Sequence, residues 1–253
     1  MKWILAPLVL VWRIWFYLGI AVAILVLYPF IFSTSLKPQW YPRFFIFARI
    51  WAWMVLVWSG LWPRVSWEEK PDKKKVYIIC ANHTSMIDIM MTLAIFPNCF
   101  LFIGKKELTR FPLFGYFYRK TNLLVDRSSL RSRRDVFDRA GVKVDEGIGI
   151  CIYPEGGVPK YEVDLAPFKN GAFKLAVEKK VPIIPVAYLD NKRHLPFELF
   201  KGHPGICRVV VHPFLIPWEN SDPEIDRLRE ECYQVIHSTL IALRKQEMVL
   251  NHE

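Results

Sequence analysis

Two long, nearly uncharged apolar runs open the chain, and shorter β-rich runs follow them. Residues 14–32 carry no charge over 19 positions, close to the ~20 that a helix needs to cross a hydrocarbon core. A second run, 44–62, is broken only by Arg49. Between them, Lys37, Pro38, Pro42 and Arg43 make residues 35–43 read as a turn. The pattern predicts two apolar helices joined by a short basic loop. Pro29, Phe30, Ile31 and Phe32 close the first run with no small-residue cleavage site behind them, which favours an anchor over a removed signal peptide.

Beyond residue 67 the charged stretch 68–75 reads as a linker, and the hydrophobic period changes. Strands are predicted at 76–81, 100–103, 122–125, 148–153, 182–188 and 208–214, and helices at 86–95, 129–144 and 168–179. A last helix begins near Ser221 or Asp222, with Pro223 in its first turn. Its stripe of Ile225, Leu228, Cys232, Val235, Ile236, Leu240 and Leu243 faces a core. Alternating strands and helices predict an α/β domain over 67–253 with a mixed, largely parallel central sheet flanked by helices. Residues 1–66 form its N-terminal apolar two-helix membrane hairpin.

Charge sharpens the first prediction. Residues 1–66 hold no Asp or Glu but contain Lys2, Arg13, Lys37, Arg43, Arg49 and Arg64, so they supply +6 of the formal +10. Nine of the ten tryptophans lie between Trp3 and Trp67. Tryptophan suits an apolar–water boundary and cations suit anionic headgroups, so the implied partner is an anionic membrane surface. Nucleic acid is not expected, because these cations are scattered among Leu, Ile, Val, Phe and Trp rather than gathered in a soluble stripe. A helical subdomain packed on the core is the alternative. Arg49 is costly at bilayer depth unless it snorkels, which favours a hairpin sunk in one leaflet over a double span. The five cysteines are odd in number and scattered, without CxxC or zinc-ligand spacing, so reduced thiols and no metal are expected.

Candidate chemistry lies at two predicted strand ends, where α/β sheets carry their sites. The first is Asn82-His83-Thr84-Ser85-Met86-Ile87-Asp88. Thr84 or Ser85 can cap the following helix, leaving Asp88 one turn in and within reach of one His83 ring nitrogen. The other nitrogen is then free to take a proton from a bound alcohol, giving the His–Asp part of a triad in which the substrate supplies the nucleophile. On its own the spacing is equally compatible with a histidine that merely caps a helix. The second is Tyr153-Pro154-Glu155-Gly156-Gly157, a turn whose glycines permit close backbone approach to a ligand.

Taken together these blocks resemble the glycerolipid acyltransferase family, specifically its 1-acylglycerol-3-phosphate acyltransferases. The first block is NHTSMID. The second is Leu124-Val125-Asp126-Arg127, preceded by Gly104-Lys105-Lys106-Glu107-Leu108 and Pro112-Leu113-Phe114-Gly115. The third is YPEGG, and the fourth is Val181-Pro182-Ile183-Ile184-Pro185-Val186-Ala187. The resemblance implies His83 as general base, Asp88 as its orienting partner, and Arg127 as a fork for the acceptor phosphate. It further implies that Lys105, Glu155, Gly156, Asn82, Thr84 and Ser85 line the substrate site. The acyl donor would be acyl-CoA or acyl-acyl carrier protein as co-substrate, with no cofactor. The acceptor would be a membrane lysophospholipid, and the catalytic domain would face the cytoplasm. One departure stands out: the third block commonly continues with Thr and Arg, and here Gly157 and Val158 follow. Lys160 is the candidate replacement cation. That change leaves open a same-fold acyltransferase acting on a lyso-aminolipid. A membrane thioesterase and a non-catalytic scaffold are the remaining alternatives.

Overall fold

The computed structural model describes residues 2–110, 114–126, 128–160 and 162–250. Helix α1 (Lys2–Ser35) and helix α2 (Tyr41–Trp58) are joined by a 3-10 turn, Pro38–Trp40. Pro38 and Pro42 both fall in first turns, where a missing N–H costs nothing. The two helices run antiparallel, because Trp15 stacks on Trp58 at 4.3 Å while Phe30 stacks on Phe47 at 5.1 Å. Each indole of the Trp15–Trp58 pair donates to the other residue's carbonyl, at 2.9 and 3.0 Å.

Strand β1 (Leu61–Trp67) comes next, followed by β2 (Ile78–Ala81), α3 (Ile87–Ile95), β3 (Phe100–Lys105), α4 (Phe114–Thr121), β4 (Leu123–Val125) and α5 (Leu130–Asp145). The chain continues through β5 (Gly149–Ile152), α6 (Gly171–Lys179), β6 (Ile183–Tyr188), α7 (Asn191–His194), β7 (Gly205–Val211) and α8 (Asp222–Leu250). One seven-stranded sheet has the order β1-β7-β6-β2-β5-β3-β4. Strands β2 to β6 are mutually parallel, and β7 is antiparallel to β6. Strand β1 lies parallel to β7 with Leu61 opposite Gly205, so both begin at the rim where β2, β5 and β6 end. The predicted mixed, largely parallel α/β sheet is the one observed.

The sheet is buried on both sides, as parallel sheets are. Ile79, Ala81, Cys151 and Val186 face a core built with α1, α2 and α3. Ile78, Cys80, Ile150 and Ala187 face a second core under α5, α6 and α8. The apolar N-terminal helices therefore form one covering layer of the sheet. Phe16, Ala52, Val55 and Leu56 have no exposed surface, and burying Phe16, Val55 or Leu56 contributes about 1.5–3 kcal/mol each. Their outer surface stays open: Leu8, Val11, Ile14, Leu18, Leu25, Val26, Ile46, Ile50 and Val57 are all exposed. By length and composition, Ala6–Ser35 suffices to cross a membrane.

Two features differ from the expectation. The division expected after residue 66 falls inside β1, because Leu61–Trp67 belongs to the sheet. Pro63 is tolerated there because β1 is an edge strand. Arg49, expected to need a route to the surface, finds partners within the protein. It turns inward, donating from Nε to the Leu93 carbonyl at 3.2 Å and from Nη2 to the Ala94 carbonyl at 3.3 Å. Trp53 adds a bond to Ala94 O at 3.2 Å. A cation thus caps the carbonyl end of α3, where a helix favours positive charge.

Candidate active site

The chain leaves β2 at Ala81 and makes one irregular turn before α3, and each residue of that turn is held. The Asn82 amide bonds both backbone groups of Tyr188 on β6, donating to the carbonyl at 3.0 Å and accepting from N–H at 2.7 Å. The His83 N–H donates to Glu155 Oε1 at 2.6 Å, and Ala166 N–H donates to Glu155 Oε2 at 2.8 Å. Ser85 Oγ donates to the Leu195 carbonyl at 2.7 Å and accepts from Ile87 N–H at 3.3 Å, but the residue at the N-cap of α3 is Met86, without a side-chain cap, rather than Thr84 or Ser85 as expected. Thr84 Oγ1 is buried without a partner among the described residues.

His83 Nδ1 lies 2.9 Å from Asp88 Oδ2, the contact expected from the spacing. Thr84 and Ser85 N–H also donate to that oxygen, at 2.7 and 2.9 Å. Asn191, just past β6, donates to the other oxygen at 2.8 Å. Four donors thus fix a carboxylate that is itself fully buried. With Asp88 accepting at Nδ1, the proton resides on Nδ1 and Nε2 carries the basic lone pair. Among the described residues nothing bonds Nε2, and the His83 side chain keeps 18% of its surface exposed.

One face of the imidazole stacks on Tyr153, with ring centroids 4.1 Å apart and planes 15° apart. Thr92 Oγ1 sits 3.2 Å from the Tyr153 hydroxyl and 2.6 Å from the Tyr188 hydroxyl. Burial pushes both phenols well above their usual range, so they remain neutral hydroxyls. Burial also pushes the Glu155 carboxyl up to about 7, against the opposing pull of the Ala166 and His83 N–H groups.

His83, Glu155 and Asn191 follow β2, β5 and β6, and Lys105 ends β3, so all lie along the rim where these parallel strands end. Of the residues expected to line the substrate site, Asn82, Ser85 and Glu155 have their side chains engaged within the protein and act as braces of the His83 turn. Gly156 holds φ +77°, and a side chain there would run into Lys169. Lys105 is exposed on the rim, and Lys160 is exposed in the loop after β5. Arg127 lies outside the described residues. The backbone amides of His83, Thr84 and Ser85, which precede α3, are all engaged within the protein. Sequence reasoning missed Asn191, Thr92 and Tyr153 as parts of the site. For Tyr153 the signal was its place at the head of the third block.

The acyltransferase family model matches residues 63–189, half of the chain and the part that holds this turn. The chain belongs to the acyltransferase family. Within the family it is 35% identical over 145 residues to 1-acyl-sn-glycerol-3-phosphate acyltransferase from Saccharomyces cerevisiae, covering 56% of this chain and 47% of that one. It is also 35% identical over 170 residues to the human 1-acyl-sn-glycerol-3-phosphate acyltransferase beta, covering 66% of this chain and 61% of that one. The chain therefore spans about half the length of the yeast relative and under two thirds of the human one. Its fold matches the 1-acyl-sn-glycerophosphate (LPA) acyltransferase PlsC of Thermotoga maritima with a TM-score of 0.77. That match covers 96% of this chain and 98% of the other at 23% identity, a likeness of fold.

Proposed function

We propose that this chain transfers a fatty acyl group from acyl-CoA or acyl-acyl carrier protein to the sn-2 hydroxyl of lysophosphatidic acid, forming phosphatidic acid for phospholipid synthesis. The observation that carries the reading is His83, held through Nδ1 by the fully buried Asp88 with Nε2 left unbonded among the described residues. The acceptor hydroxyl gives its proton to Nε2 as its oxygen attacks the thioester carbonyl. The tetrahedral intermediate expels the thiolate, the C–S bond breaks, and the imidazolium returns the proton to sulfur. No acyl-enzyme forms. Asp88 fixes the tautomer throughout and stabilises the imidazolium.

The names of the relatives support the acceptor, and the exposed apolar surfaces of α1 and α2 support a membrane setting. In this reading the helix pair lies in one leaflet, with the catalytic rim at the cytoplasmic face where the water-soluble donor arrives. Lys105 and Arg127 supply positive charge for the acceptor phosphate.

A crossed assay tests the proposal. Purified protein is given acyl-CoA or acyl-acyl carrier protein with either lysophosphatidic acid or a phosphate-free lysolipid. Lysophosphatidic acid should be acylated far faster. A preference for the phosphate-free lysolipid would overturn the acceptor, and thioester turnover indifferent to any lysolipid would replace transfer with hydrolysis.

A further inference from the structure

Arg13 is the one cation of α1 beyond Lys2, and only 5% of it is exposed. Its guanidinium is spent on the backbone of a loop nearly two hundred residues away. Nη1 donates to the Glu198 and Lys201 carbonyls, both at 2.7 Å, and Nη2 donates to the Pro196 carbonyl at 2.9 Å. Behind it the loop closes on the same helix, because a side chain at Gly202 would collide with Trp12 and the His194 carbonyl. A surface loop of this length is normally mobile and polar at its tip. This one is pinned at three carbonyls and carries apolar side chains outward: Phe197, Leu199 and Phe200 are 66%, 53% and 60% exposed.

We propose that residues 196–201 are a second membrane-inserting element, in which Arg13 holds Phe197, Leu199 and Phe200 at the acyl-chain level of the leaflet that α1 occupies. The proposal rests on the membrane reading above and adds a contact remote in sequence from the apolar runs. Three observations select a lipid leaflet as the occupant. The loop is bonded to the same turn of α1 that exposes Val11 and Ile14, both at least 59% open, so the two apolar surfaces adjoin. Lys192, Arg193 and Lys201 flank the apolar tip, where an interfacial segment meets anionic headgroups. The only acid between them is Glu198, which lies 3.6 Å from Lys201.

The placement matters because the loop grows directly out of the site. Asn191 bonds Asp88, and the Leu195 carbonyl accepts from Ser85, immediately before Pro196 enters the grip of Arg13. Inserting the loop therefore fixes the depth of the catalytic turn through these two hydrogen bonds.

The test uses the full chain with Cys99 replaced by serine, the other native cysteines being buried. An environment-sensitive fluorophore is attached at Phe200→Cys, at Val11→Cys on α1, or at the exposed Leu130→Cys on α5 as a water reference. The protein is reconstituted into phosphatidylcholine–phosphatidylglycerol vesicles with spin-labelled acyl chains. Emission at positions 200 and 11 should be blue-shifted and lost to the spin label to a similar extent, while position 130 keeps its emission. If position 200 behaves like 130 while 11 is quenched, the loop proposal falls and the anchor reading survives. If neither 200 nor 11 is quenched, both fall.

Discussion

The His83 turn and the α1–α2 pair are opposite solutions to packing. In the turn almost every polar atom has an assigned partner: three successive N–H groups, an asparagine amide and both oxygens of Asp88 are committed within seven residues. The helix pair leaves much of its apolar surface open and is tied to the rest of the protein by a handful of long-range bonds from Arg13, Tyr41, Arg49 and Trp53. On the function proposed above, the contrast separates two tasks. Proton transfer needs one geometry and tolerates no slack, so the turn is over-determined. Contact with lipid needs surface that the protein does not satisfy itself, so the helices are held firmly but from one side only.

Substitutions can break or sharpen that contrast. His83→Ala should have the largest effect, lowering kcat for acyl transfer by at least ~10²-fold, since it removes the proposed general base. The Tm followed in parallel should fall only modestly, because Asp88 loses one donor and keeps those of Thr84, Ser85 and Asn191. An unchanged rate would return the scaffold reading. Asp88→Asn should cost a similar factor in rate and destabilise more than the histidine change does. An amide NH2 would face N–H donors from Thr84, Ser85 or Asn191, at about 1–3 kcal/mol for a buried mismatch. Denaturant titration of the two variants side by side distinguishes a residue that reacts from one that also builds.

Glu155 gives a pH-dependent version of the same test. Its carboxyl is raised by burial from 4.5 to about 7, so the folded protein binds the proton more tightly than the unfolded chain does. The resulting stability is fully present below about pH 4.5 and is lost as pH rises through about 7, worth up to about 3 kcal/mol. The difference in Tm between wild type and Glu155→Gln should therefore shift against wild type across that interval. A flat difference would show that the two N–H donors offset desolvation. Arg49→Leu should have the smallest effect, about 1 kcal/mol, because its two bonds are long. Its loss should still appear as faster hydrogen exchange at the end of α3.

Local signals in the sequence were enough for the strand–helix alternation and the two chemical blocks. The helix expected over 129–144 is α5, with Ser129 as its cap and its side chain accepting from Ser132 N–H, and the His83–Asp88 contact follows from five residues of separation across a helix start. What escaped depended on distant partners. Strand β1 was hidden in the apolar run because Trp62 points outward and Pro63 interrupts the alternation; only pairing with β7 makes it a strand. Asn191 looks like any polar residue after a strand until Asp88, 103 positions away, is brought to it. Arg49 and Arg13 read as cations seeking water or phosphate, and no local rule announces that carbonyls of other elements will receive them.

The reversal of β1 and β7 has a consequence for how a lipid would meet the imidazole. Since β1 begins at the rim where β2 ends, the last turn of α2 and the stacked Trp15 of α1 are delivered to the same end of the molecule as His83. A molecule whose tails lie alongside those helices would present its glycerol at that end without being lifted out of its leaflet. Turnover would then require only sideways diffusion, and the energetic barrier of extracting a two-tailed product into water would never arise.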